Sequence, residues 1–168
     1  VYWGLNFRVL LPLQRKLVKL DRQAGEWSRE VRTLHEVADT VSERSLQDQS
    51  TLGAIVTIAA QAVGADLGAV LLLDDTTGEL VTQSGTYGLE FKDSYRVSLK
   101  DENASSVRVF KSGQPFWTGN AQNDPGVIAQ YVKLWKIHSL LAVPMKREGR
   151  CIGVLRLGSY KRDFFTAE

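Results

Sequence analysis

The sequence holds a single cysteine, Cys151, in 168 residues. One thiol excludes an intramolecular disulfide, a thiolate zinc cluster and an iron–sulfur set. It fits a reducing, cytosolic environment. Charge of one sign is scarce too. Lys and Arg number 21 against 19 Asp and Glu, and the formal net charge of +2 carries no strong message about polyanionic partners. No basic face interleaved with aromatics is present, so nucleic acid is not an expected partner. No apolar run reaches the ~18–20 residues that span a bilayer. Paired carboxylates beside a nucleophile, a glycine-rich phosphate loop and metal-ligand spacings are also missing. On this reading the chain is not an enzyme and has no metal site, and its cofactor, if it has one, is unknown.

What is present is the composition of a globular protein, 43% apolar and 24% charged. The most informative stretch is "SLLAVPMKREGRCIGVLRL", Ser139 to Leu157, two apolar arms around a charged tip. A strand with one wet face alternates apolar and polar residues. Leu140 to Met145 and Cys151 to Leu157 do not alternate, so both arms are expected to be covered on both faces of a sheet.

Upstream, an apolar residue recurs on a seven-residue cycle. Leu10, Leu17, Ala24, Val31 and Ala38 take one position, and Leu13, Leu20, Trp27, Leu34 and Val41 the other. This is the seam of a left-handed coiled coil, and Lys16 with Asp21 and Glu30 with His35 favour a parallel homodimer. Pro12 places the helix start near Leu11. Tyr2, Trp3 and Phe7 precede Arg8, Arg15 and Lys16, an order found at the cytoplasmic edge of a membrane helix. The expected organisation is a juxtamembrane coiled-coil helix over 1–44 and a globular domain over 45–168. The expected location is the cytoplasm, as the cytosolic part of a protein anchored by a preceding segment.

In the second part, Leu52, Ile55, Val56, Ala59, Ala62 and Val63 form a helical stripe that Gly64 ends. Strands are expected at Leu67 to Leu73, at "ELVTQS", at Ser94 to Leu99, at "PFWT" and in the two hairpin arms. Short helices are expected over Ala104 to Lys111 and Val127 to Trp135. Tight hairpins imply an antiparallel sheet, with the short helices on one face and the long ones on the other. The fold class is α+β, an α/β/α sandwich on a six-stranded antiparallel sheet with a long N-terminal helix.

The blocks "AVGADLGAVLLLDDTTGEL", "GQPFWTGNAQNDP", "SLLAVPMKREGRCIGVLRL" and "FFTAE" resemble the GAF domain, a small-molecule-sensing module of signalling proteins. The resemblance implies a ligand pocket roofed by the short helices and dimerisation through the opposite face. It implies a non-catalytic regulatory role, in a sensor histidine kinase of a two-component system. The alternatives are a diguanylate cyclase, a cyclic-nucleotide-binding regulator or a GAF-type redox enzyme. Cys151 is placed for a buried structural thiol and not for bilin attachment, and methionine-sulfoxide-reducing members need several cysteines. "GSYKRDFFTAE" lacks the asparagine of the cyclic-nucleotide signature. His138 reads as a strand-edge residue in preference to a haem ligand. The expected ligand-binding residues are Tyr95, Arg96, Val97, Arg108, Phe110, Trp117, Ile128, Tyr131 and Trp135, with Lys111 nearby. A small molecule or anion is the expected ligand.

Overall fold

A computed structural model describes residues 49–90 and 95–166. The heptad seam over Leu10 to Val41, and with it the long helix and its dimer contact, lies outside the described residues.

Helix α1 (Gln49–Val63) comes first. Gly64 stops it at φ 69, and the Ala65 amide bonds back to the Ala60 carbonyl at 2.8 Å, closing the helix end. Strands β1 (Leu67–Asp74), β2 (Glu79–Thr82) and β3 (Arg96–Ser98) follow. Next come α2 (Ser105–Ser112), β4 (Phe116–Thr118), α3 (Ala129–Leu134), β5 (Ser139–Arg147) and β6 (Arg150–Ser159). The six strands form one antiparallel sheet in the order β3-β2-β1-β6-β5-β4.

The two apolar arms are β5 and β6, in the middle of the sheet and covered on both faces, as their lack of alternation requires. On one face Leu141, Val143, Leu155 and Leu157 pack with Leu52, Val56, Ala59 and Ala60 of α1. Gly68 permits the close seat of that helix, since a Cβ there would lie 2.7 Å from Val56 Cγ1. The closing "FF" pair belongs to the same layer: Phe165 is fully buried and meets Phe164 edge-on at 4.9 Å.

On the other face Leu71, Leu80, Val97, Ala142 and Val154 pack with Ala104, Val107 and Val109 at α2. Gly113 ends α2 at φ 65 and donates to the Val109 carbonyl. Helix α3 ends at Trp135, and Lys136, at φ 54, turns the chain so that Ile137 is buried ahead of β5.

Two other stretches of chain converge on the Ser139 hydroxyl at the start of β5. It lies 2.8 Å from the Lys161 carbonyl and 3.2 Å from the Gly119 carbonyl, and it accepts from the Phe164 amide at 3.0 Å. Nearby, Asp66 accepts from the Ser159 hydroxyl at 2.7 Å and the Tyr160 amide at 2.8 Å. These bonds fix one end of the central strands, where Ser139 pairs with Ser159 and Leu67 with Gly158, without using the sheet faces.

Candidate functional site

Period two on β6 sends Leu155 and Leu157 toward α1 and Val154 and Arg156 toward α2 and α3. Arg156 is therefore a charged side chain in a core layer, only 6% exposed. Its cross-strand neighbours are Ala69 on β1 and Ala142 on β5, and Phe116 continues the row. Two alanines leave the lateral room that a guanidinium needs.

Aromatic rings enclose the cation. The guanidinium carbon lies 4.6 Å from the Tyr95 ring centre and 5.8 Å from that of Trp135. Tyr95 and Tyr131 meet edge-on at 4.4 Å, and Tyr131 and Trp135 lie 5.3 Å apart. Cation–π contact of this kind supplies up to ~2 kcal/mol when desolvated. Burial pushes the Arg156 pKa down, with the Tyr95 hydroxyl acting against it, and the side chain stays a cation. Burial pushes the Tyr95 phenol up, and Arg156 and then Ser106 pull it back. The backbone of Tyr95 is held by Thr82, whose amide donates to the Tyr95 carbonyl and whose Oγ1 accepts from the Tyr95 amide.

The polar atoms here are under-used. Among the described residues, Arg156 Nε and Nη1, Trp135 Nε1 and Ser106 Oγ are buried without a hydrogen bond of good geometry. The Ser106 hydroxyl acts on the Tyr95 phenol only as a near neighbour. No carboxylate of a described residue pairs with Arg156. Beside the guanidinium is a small, partly open cavity of about 20 Å³, lined by Ala69, Leu71, Thr82, Leu140, Trp135 and Arg156 among others. Leu67, Leu89 and Trp135 also line an open groove of about 530 Å³ that reaches Glu90, Leu134, His138 and Tyr160.

Of the residues singled out in the sequence, the structure brings Tyr95, Tyr131 and Trp135 together at Arg156. Val97, Phe110 and Ile128 belong to the surrounding apolar layer. Arg96 projects from the other side of β3, exposed and 2.8 Å from Glu79, because alternate residues of a strand face opposite ways. Arg108 is exposed over the Phe116 ring at 4.9 Å, and Lys111 pairs with Glu102 at 2.7 Å. Trp117 lies exposed on the edge strand β4. Arg156 itself was not among the expected residues. Its signal was a lone charge inside the apolar arm "GVLRLG". His138 precedes β5, with Nε2 3.4 Å from Gln122 Nε2 and Nδ1 buried without a partner.

Cys151 sits near the hairpin tip, half-buried, its Sγ 3.3 Å from the Gly153 carbonyl, and burial pushes its pKa up. Less thiolate forms at neutral pH than for a free thiol. Alkylation by iodoacetamide is expected to show a midpoint above that of free cysteine. A midpoint at or below the free value would contradict the burial.

A search of curated proteins found no match. Among solved structures, the chain is similar to a free methionine-R-sulfoxide reductase from Neisseria meningitidis in complex with its substrate. That likeness has 21% identity and a TM-score of 0.60, covering 86% of this chain and 79% of that one. It is similar to the GAF domain of a phosphoenolpyruvate-protein phosphotransferase from Coxiella burnetii, at 19% identity and a TM-score of 0.62, covering 85% and 83%. It is also similar to the A. aeolicus nlh2 GAF domain in an inactive state, at 16% identity and a TM-score of 0.57, covering 82% and 81%. These identities establish a shared fold. They correct one expectation: the reductase shows that this fold carries catalysis, so the absence of a motif at sequence level does not exclude an enzyme. The GAF domain profile matches residues 45–168, most of the sequence. The chain belongs to the GAF domain family.

Proposed function

We propose that this GAF domain is a sensory and regulatory module that binds a small molecule in the chamber around Arg156. The observation that carries the reading is the buried guanidinium with unpartnered donors inside an aromatic cage. A core built only for stability avoids such a group, because an unpaired buried charge loses several kcal/mol of hydration, on the order of twice what one aromatic ring returns.

Strand β6 links the chamber to the far face. Arg156 stands on one side, and its chain neighbours Leu155 and Leu157 stand against α1 on the other. A ligand that shifts β6 therefore changes the seat of α1. Two packings that differ by a few kcal/mol, biased by occupancy, make a relay. In this proposal the heptad helix over 1–44 pairs in parallel with a second copy and carries the change. The host is a membrane-anchored sensor histidine kinase, with this domain on the cytoplasmic side. Among the described residues no helix is long and apolar enough to cross a membrane.

Native mass spectrometry of the full chain, freshly purified, tests this. A dimer with a retained small molecule, lost on Arg156→Met, is expected. A monomer that retains nothing and responds to no added metabolite would overturn the proposal.

A further inference from the structure

Resting on the reading of the chamber as a ligand site, we propose that its ligand is a small organic acid. The carboxylate neutralises Arg156 and accepts from its unpartnered N–H groups and the Trp135 indole N–H. The rest of the molecule runs past Trp135 toward the open groove.

Three observations converge on this class. The first is charge. The cavity lining contains one cation and no acid, so a single negative charge brings it to neutrality. A phosphate dianion would bury a second charge among Leu67, Leu71 and Leu140 with nothing to offset it. The second is donor chemistry. Arg156 Nε, Arg156 Nη1 and Trp135 Nε1 all donate and lack acceptors, and an ionised carboxylate only accepts. A neutral ligand would supply acceptors without charge. The third is space. The cavity volume of about 20 Å³ is on the order of one water site. A carboxylate fits only when the lining gives way, and Leu67, Leu89 and Trp135 line both this cavity and the groove of about 530 Å³. Displacing Trp135 joins the two spaces into one slot, polar at its inner end and apolar along its walls.

The test uses the full chain with acetate and glutarate as probes, acetamide and glutaramide as uncharged counterparts, and inorganic phosphate as the rival anion. Thermal midpoint and the NMR resonance of the Trp135 indole are followed. A saturating carboxylate is expected to raise the midpoint by about 5 °C and to move the indole signal, while the amides do neither. Trp135→Phe, which keeps a ring in place, should weaken the effect about tenfold, and Arg156→Met should abolish it. Stabilisation by phosphate but not by carboxylates would overturn the assigned class, as would carboxylates acting equally on Arg156→Met. If every anion is inert while native mass spectrometry retains a neutral metabolite, the carboxylate is refuted and the ligand site stands. If nothing binds at all, both fall.

Discussion

Methionine in place of Arg156 is expected to raise the unfolding free energy of the unliganded domain by about 1–4 kcal/mol. The opposing terms can be weighed. Moving a cation out of water costs several kcal/mol even after relaxation. Against this stand the Tyr95 and Trp135 rings, at 4.6 and 5.8 Å from the guanidinium carbon, and up to ~2 kcal/mol of cation–π attraction. No carboxylate of a described residue adds to that side. Methionine fills the space of the arginine stem between Ala69 and Ala142 and needs no hydrogen bonds. Urea denaturation of the ligand-stripped protein measures the difference. A loss of stability greater than about 2 kcal/mol would mean that the cation is compensated in the empty state, and the case for a ligand would go with it. The same variant gains stability only by giving up recognition, the trade expected where a site is strained for its task.

Phe165→Ala is the second large effect, a loss of about 3–5 kcal/mol. Phe165 has no exposed surface and closes the layer between α1 and the sheet with Leu52, Val56, Leu141 and Leu157. Its edge-on contact with Phe164 disappears as well. The segment that carries it is held by the Ser139 hydroxyl and by the Asp163 amide bonding to the Gly119 carbonyl at 2.9 Å. The backbone therefore cannot close in on the void easily, which puts the cost toward the upper end of the range. Phe164→Ala, at a half-buried position, should cost less than half as much. Differential scanning calorimetry is expected to show the Phe165 variant melting roughly 10 °C or more below the parent. A loss under about 1 kcal/mol would show that this segment is not part of the core.

How much of this was legible in the sequence follows from which interactions are local. The doubly covered hairpin could be read because the absence of alternation in Leu140 to Met145 and Val154 to Leu157 is a property of each strand alone. The helix end at Gly64 could be read because a left-handed φ has one cheap residue. Arg156 escaped for two reasons. A single arginine in an apolar run is ordinarily read as one that snorkels to water. The alanines that make room for it come from β1 and β5, and that register is set by pairing across the sheet. Arg96 misled in the opposite sense. Its nearness to Tyr95 in the chain suggested a shared chamber, while the strand period sends the two to opposite sides. The sequence also understated the fold's chemical range, since excluding catalysis by missing motifs presumed that one motif set serves every enzyme built on it.

The row Phe116–Ala142–Arg156–Ala69 carries a consequence for how such a domain diversifies. In the proposed chamber the cation decides what sign of group is admitted, but Ala69, the alanine of the row that lines it, decides how broad that group can be. Exchanging Ala69 for valine or serine would trim or wet the slot without disturbing its electrical character. Girth and polarity can thus drift separately from charge, and a lineage can change its effector in small steps while the anchoring arginine stays where it is.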